Sequence, residues 1–169
     1  MTIDTIDAVM EMALEQASRC EPVESAYNVG AVLVNASLTK DDILSQHYAS
    51  HQLLTGYSRE LPGNTHAEQV CFLKFDALHV VTTAKYVLYT TMEPCSTRLS
   101  GNITCTQNIL DRRDVLQIIK VVVACKEPPN FVSKVTGLKT LEQAGISISF
   151  LSQYEQDALD KNAHLLKEK

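Results

Sequence analysis

Three short apolar runs, separated in the later part of the chain by segments with helical spacing, constrain what this sequence can fold into. The runs are rich in Val, Ile and Leu and cover residues 28–34, 86–91 and 118–125. Short β-branched runs bounded by polar residues are typical of buried strands. Because helical patterns follow the second and third runs, the sequence predicts an opening hairpin, then strand–helix units, and therefore a mixed sheet flanked by helices.

The other elements are predicted from periodicity and from turn residues. Apolar residues recur at helical spacing over residues 3–18, which indicates an amphipathic helix. A polar stretch at 35–42 is expected to turn the chain, and the return strand of the hairpin is placed at 52–57. Further helices are predicted at 66–78, 104–112, 137–144 and 154–166, with a last strand at 146–150.

Composition excludes several classes of protein. The 169 residues show no repeat or linker, so one domain spanning residues 1–169 is expected. Fifteen Lys and Arg against twenty Asp and Glu give a net charge of −5, which disfavours a nucleic-acid partner. No apolar run is long enough to span a membrane, and the N-terminus lacks the basic region of a secretory signal. With five cysteines, free thiols or metal ligands are expected, in a cytoplasmic or nuclear setting.

Four residues form a candidate metal constellation. His66 and Glu68 open a predicted helix, Cys95 follows a predicted strand in Glu-Pro-Cys, and Cys105 opens the next helix. One imidazole and two thiolates are a ligand set that catalytic zinc uses, with a fourth position left for water. A carboxylate two residues from the histidine suits a proton shuttle, and deaminases of bases use this H-x-E plus Pro-Cys and Cys arrangement.

Each part of this constellation also has a structural explanation. Thr65 and Glu68 have the spacing of a helix capping box, in which Glu68 would only accept a backbone hydrogen bond. Cys95 and Cys105 could be buried thiols that pack like small apolar side chains. Their joint occurrence at strand–helix junctions favours catalytic zinc. The nine residues between the two cysteines exceed the usual two, which predicts a loop at the mouth of the site.

Two long motifs resemble a known family. Residues 56–69 (GYSRELPGNTHAEQ) and 93–102 (EPCSTRLSGN) are similar to the fungal deaminases of riboflavin biosynthesis. The substrate of that family is 2,5-diamino-6-ribitylamino-4(3H)-pyrimidinone 5′-phosphate, abbreviated DRAP. The resemblance extends to residues 126–130 (KEPPN) and 137–146, where the chain also resembles the deaminase half of bacterial bifunctional riboflavin enzymes. It covers about residues 25–150, which would form the core of the domain.

The resemblance implies a cytidine-deaminase-like fold, a three-layer α/β/α sandwich around a mixed five-stranded sheet. It implies one catalytic zinc ion per subunit, held by His66, Cys95 and Cys105, and commonly a homodimer. The implied reaction is hydrolytic: water adds to the ring carbon that bears the exocyclic amine, Glu68 moves the protons, and ammonia leaves a pyrimidinedione. Expected contacts to the small phosphorylated pyrimidine come from Asn28 in the first strand and from Arg59, Asn64, Glu93, Arg98, Ser100, Asn102 and Lys126.

Two alternatives stay open at this point. One is a different small-molecule deaminase, for example one acting on deoxycytidylate, with the same zinc chemistry and a different pocket. The other is a catalytically silent deaminase-like subunit in which zinc only supports the fold. Silent members typically lose the carboxylate of the H-x-E motif, and Glu68 is present here.

Overall fold

One five-stranded sheet organises the chain, with strand order β2-β1-β3-β4-β5. The computed structural model describes residues 1–98, 100–128 and 136–166. The strands are β1 (Gly30–Asn35), β2 (Leu53–Tyr57), β3 (Tyr86–Met92), β4 (Ile118–Cys125) and β5 (Ser147–Phe150). The helices are α1 (Ile3–Ala17), α2 (Lys40–Leu44), α3 (Ala67–Ala77), α4 (Cys105–Leu116), α5 (Gly137–Gln143) and α6 (Glu155–Asp160), the last preceded by a 3₁₀ turn at Ser152–Tyr154.

The sheet is mixed, as the sequence predicts. β1 pairs antiparallel with both β2 and β3, which completes the opening hairpin. β3, β4 and β5 are parallel to one another. Parallel neighbours end at the same edge of a sheet, and in such folds ligands bind beyond the carboxyl ends of the strands. Residues that follow β3 and β4 are therefore brought together at one edge.

Helices cover both faces of this sheet. Successive side chains of a strand point to opposite faces, so Val32 and Val34 of β1 pack on one core while Ala31 and Leu33 pack on the other. α1 and α6 cover the first face, and α3, α4 and α5 cover the second. The predicted three-layer α/β/α sandwich is confirmed. Among the described residues, no helix combines the length and hydrophobicity needed to cross a membrane.

Most predicted bounds agree with the structure within a few residues, and three features differ from the prediction. The polar stretch at 35–42 leads into a helix that was not predicted, α2, whose Thr39 cap and Asp42 form a reciprocal capping box. β1 begins at Gly30, so Asn28 does not lie in the strand. The backbone N–H of Asn28 instead donates to the side-chain oxygen of Asn162. The C-terminal helix ends at Asp160 rather than 166 and is followed by hydrogen-bonded turns.

Candidate active site

A tight turn ahead of α3 positions the histidine. Gly63 and Asn64 adopt positive φ angles of 92° and 54°, and the Arg59 N–H donates to the Thr65 carbonyl oxygen at 2.7 Å. The Thr65 hydroxyl donates to the Leu61 carbonyl oxygen at 2.8 Å, within the turn. The N-cap of α3 is His66, whose side chain makes no capping hydrogen bond. The capping-box interpretation of Thr65 and Glu68 is therefore wrong, and the imidazole faces the two cysteines instead.

The first turn of α4 holds the two cysteines together. Cys95 follows the end of β3, and Cys105 is the first residue of α4. The Cys105 N–H donates to the Cys95 Sγ at 3.3 Å, and the Thr106 N–H donates to the Cys95 carbonyl oxygen at 3.1 Å. A helix N-terminus offers unpaired N–H groups and a partial positive charge, which stabilise a thiolate. The loop between the cysteines is thus fixed at both ends.

The structure brings the three predicted metal ligands close together. The His66 Nδ1 lies 3.5 Å from the Cys95 Sγ and 3.3 Å from the Cys105 Sγ. One ligand atom from each residue lies within 4.8 Å of the others, a spacing that can hold a metal ion. Cys95 and Cys105 are buried and His66 is half-buried. One nitrogen and two sulfur donors match the preference of zinc, so the residues present fit this metal.

Glu68 lies beside the cluster and outside its ligand set. Its side chain is 2% exposed, with one carboxyl oxygen 3.3 Å from the Cys105 Sγ and the other 3.3 Å from the Thr90 hydroxyl. Burial, the largest effect, raises the pKa of the Glu68 carboxyl, while the nearby His66 opposes that rise. A buried carboxyl whose pKa is raised can hold a proton and release it again, as a general acid and base must.

The two cysteines differ in acidity because one thiol donates to the other. A hydrogen bond from Cys105 lowers the pKa of the Cys95 thiol, with further help from His66. Donating that bond, together with burial, raises the pKa of the Cys105 thiol. Cys95 therefore carries the more stable thiolate of the pair.

A cavity of about 160 Å³ opens onto His66, Glu68 and Cys95. Five of the predicted substrate contacts line it, namely Arg59, Asn64, Glu93, Arg98 and Ser100. Asn28, Asn102 and Lys126 are not among the described residues that line it. The Asn28 side-chain amide donates to the Lys161 carbonyl oxygen, that of Asn102 donates to the Gly63 carbonyl oxygen, and the Lys126 ammonium lies 5.8 Å from the centre of the Phe150 ring.

The two arginines of the cavity wall are engaged with protein groups. Arg98 donates to the Gln69 side chain at 3.2 Å, to the Ile103 carbonyl oxygen at 2.9 Å and to the Asn64 carbonyl oxygen. Arg59 donates to two backbone carbonyl oxygens, those of Tyr27 and Glu21, and to the Asn28 side chain. Both guanidinium groups therefore connect loops around the cavity.

Glu127, for which the sequence predicts no role, also lines the cavity. One of its carboxyl oxygens is buried without a hydrogen-bond partner among the described residues. Burial raises the pKa of Glu127 to about 7, with the Cys95 charge adding to the effect. Glu127 follows β4 as Glu93 follows β3, so the parallel pairing of these strands was the signal that could have indicated it. Pro129 and Asn130, which follow Glu127 in the motif at 126–130, lie outside the described residues.

Comparisons with known proteins agree with this geometry. Residues 3–125 match the family model of the cytidine and deoxycytidylate deaminase zinc-binding region. A curated diaminohydroxyphosphoribosylamino-pyrimidine deaminase from Schizosaccharomyces pombe is 38% identical over 151 residues, which are 89% of this chain and 33% of that protein. The chain thus spans about a third of the length of this curated relative.

Solved structures of a fungal enzyme are similar over nearly the whole chain. The Aspergillus oryzae Rib2 deaminase, as a C-terminal deletion mutant at pH 4.6, is 31% identical with a TM-score of 0.78, covering 96% of this chain and 92% of that one. The same deaminase in complex with DARIPP is 31% identical with a TM-score of 0.74, covering 94% and 89%. Family match, fold and the His-Cys-Cys cluster coincide, and the chain therefore belongs to the cytidine and deoxycytidylate deaminase zinc-binding family.

Proposed function

We propose that this chain is a zinc-dependent hydrolase of riboflavin biosynthesis. In the proposed reaction it converts DRAP and water into 5-amino-6-ribitylamino-2,4(1H,3H)-pyrimidinedione 5′-phosphate and ammonia. The observation that carries the proposal is a buried carboxyl, Glu68, placed 3.3 Å from a thiol of the His66–Cys95–Cys105 cluster at a cavity. Two comparisons support the substrate class. The chain is 38% identical in sequence to a diaminohydroxyphosphoribosylamino-pyrimidine deaminase, and the similar Rib2 deaminase has been solved in complex with DARIPP.

In this proposal His66, Cys95 and Cys105 hold the metal. Zinc, when bound to such a set, supplies a water of lowered pKa and a positive charge that stabilises negative charge developing on the substrate. The chain itself supplies the proton transfers. Glu68 accepts a proton from the attacking water and delivers it to the ring nitrogen; it then takes the proton of the hydroxyl that has added to the ring carbon and passes it to the leaving amine. The raised pKa of its buried carboxyl favours this alternation between the two protonation states.

The carboxyl groups of Glu93 and Glu127 are proposed to orient the ring. Both line the cavity, and burial raises the pKa of each. A diaminopyrimidinone presents several N–H donors, and a carboxylate is an acceptor with room for two of them. Asn64 and Ser100, which also line the cavity, are candidates for binding the ribityl-phosphate arm.

The test is ammonia release from a panel of compounds by the purified protein. The panel contains DRAP, its ribosylamino counterpart, deoxycytidylate, cytosine and guanine. DRAP is expected to have a kcat/KM at least about tenfold above the others, a difference of about 1.4 kcal/mol. Faster turnover of deoxycytidylate would remove the pathway assignment and leave the zinc chemistry. Absence of turnover with every compound, in protein that contains zinc, would favour the silent-subunit alternative.

The homodimer implied by the family resemblance is part of the same proposal. Sedimentation equilibrium of the purified chain, with and without zinc, tests it. A mass near twice 18.7 kDa is the expected result.

A further inference from the structure

The C-terminal segment, residues 155–166, reaches the cavity wall through one buried side chain. Asn162 is 1% exposed although it lies close to the end of the described chain. Its amide oxygen accepts from the Asn28 backbone N–H at 2.6 Å, and its amide nitrogen donates to the Asn28 carbonyl oxygen at 3.1 Å. The same nitrogen donates to the Ala158 carbonyl oxygen at 3.1 Å. One side chain thus pairs with both backbone groups of Asn28, as a neighbouring strand would.

Asn28 connects this contact to the cavity wall. It lies between Tyr27 and Val29, which both line the cavity. Its side-chain oxygen accepts from the Arg59 guanidinium at 2.6 Å, and its side-chain nitrogen donates to the Lys161 carbonyl oxygen at 3.2 Å. Arg59, itself a lining residue, also donates to the Tyr27 carbonyl oxygen at 3.0 Å. The positions of Tyr27, Val29 and Arg59 therefore depend on where Asn28 is held.

A second contact supports the same segment. The His164 Nε2 lies 3.1 Å from the Val23 carbonyl oxygen. Residues 161–164 are thereby attached at two points to the loop that precedes β1, about 130 positions earlier in the chain. This loop forms one wall of the cavity, and the zinc cluster and Glu68 lie on other elements.

We propose that Asn162 is a positioning residue for substrate binding. It fixes the backbone of Asn28 and, through the Asn28 side chain, the guanidinium of Arg59. The stretch that matches the family model ends at residue 125, so the substrate site of this chain includes an element outside that stretch. This inference rests on the proposed deaminase function. It assigns Asn162 no contact with the reacting atoms.

The expected kinetic signature follows from this position. Asn162→Leu keeps a side chain of similar size but leaves the N–H and carbonyl oxygen of Asn28 without partners. A buried polar group that loses its partner is costly, so the loop moves and the wall is less complementary to the substrate. KM is expected to rise about tenfold while kcat changes less than about twofold, because the proton shuttle and the metal ligands stay in place. Asn162→Asp, which keeps the acceptor and loses the donor, is expected to give an intermediate KM.

The experiment combines these kinetics with a measurement that needs no substrate. Hydrogen–deuterium exchange of the peptide covering residues 21–30 is compared in wild type, Asn162→Leu and Ile43→Ala, each checked for zinc content. Ile43 is buried in α2, so its truncation is a control for general destabilisation. Faster exchange and higher KM in Asn162→Leu, with neither in Ile43→Ala, are the expected results.

One further comparison distinguishes a positioning role from structural support alone. In an Arg59→Gln background, Asn162→Leu is expected to raise KM by less than about twofold, because both changes act on the same wall. Unchanged exchange in Asn162→Leu, unchanged KM, or a loss confined to kcat would each overturn the inference. The kinetics use whichever panel compound the wild type deaminates fastest. A different substrate ranking therefore counts against the proposed function, and an unchanged KM counts against the role of Asn162.

Discussion

Replacing Glu68 by Gln tests the proposed proton shuttle separately from the metal cluster. The substitution keeps the size of a residue that is 2% exposed and removes the group that titrates, while one of the two oxygens that accept from Cys105 and Thr90 becomes an NH2 donor. His66, Cys95 and Cys105 are untouched, so zinc content is expected to equal that of wild type. Burial raises the pKa of the Glu68 carboxyl, which means that its charged form is costly there. A neutral amide is therefore expected to leave Tm unchanged or slightly higher.

The loss of turnover is expected to be large because the proposed mechanism assigns several proton transfers to this one carboxyl. A single general acid–base contribution is typically worth 10²–10⁴-fold, so the loss for Glu68→Gln is expected to be roughly 10⁴-fold or more, about 5.5 kcal/mol in the activation free energy. Steady-state ammonia release, metal analysis and a thermal melt on the same preparation measure the three quantities. Glu142→Gln, a change at an exposed position of α5, is the matched control. Turnover within about tenfold of wild type, with zinc bound, would refute the reasoning.

Three further predictions concern the metal ligands, the second carboxyl and the loop arginine. Cys105→Ser is expected to lose zinc and to have a lower Tm, because metal binding is coupled to folding. Cys20 is 7% exposed and lies outside the cluster, so Cys20→Ser is expected to keep both the zinc and the Tm. Metal analysis and thermal melting distinguish the two variants. Burial raises the pKa of Glu127 from its ordinary value of 4.5 to about 7, so the folded state binds this proton more tightly than the unfolded state does. The free energy of unfolding of wild type, relative to that of Glu127→Gln, is therefore expected to fall by about 1 kcal/mol as pH rises from 5 to 8, once solvent screening is allowed for. A relative free energy of unfolding that grows with pH would contradict this prediction. Arg98→Ala is expected to raise KM equally for DRAP and for its dephosphorylated form, since the guanidinium is engaged with Gln69 and two carbonyl oxygens; a larger effect on DRAP would show that it binds phosphate.

The sheet could be predicted because its strands have strong local signals. The run at 118–125 is continuous and β-branched, and β4 has these bounds in the structure. α2 was missed because its five residues carry a single buried apolar side chain, Ile43, and a helix this short depends on its cap. The predicted C-terminal helix is too long because a buried tertiary contact, which the sequence does not reveal, ends it early. Its polar composition allows helix to 166, whereas the buried contacts of Asn162 with Asn28 hold the chain in a different path.

The metal cluster could be predicted from spacing, and the cavity wall could be predicted only in part. His66, Glu68, Cys95 and Cys105 belong to a pattern whose chemistry needs those residue types in that order. The residues of the wall come from elements that are far apart in the sequence and meet only in the folded chain. Arg98 stays a predicted substrate contact that lines the cavity, and its guanidinium also donates to the carbonyl oxygens of Ile103 and Asn64, which sequence spacing does not reveal. Glu127 carries no motif of its own, and only the pairing of β3 with β4 places it beside Glu93.

The loop between Cys95 and Cys105 has a consequence for how such a protein can diverge. Both of its ends are fixed by the first turn of α4, so its length has little effect on the geometry of the cluster. The entropic cost of closing a flexible loop grows slowly, by about 0.6 kcal/mol for each doubling of its length. Insertions at 96–104 could then reshape the entrance of the cavity while leaving the chemistry intact. The choice of compound that enters the cavity could then change with little loss of stability, while the metal cluster and Glu68 keep their geometry.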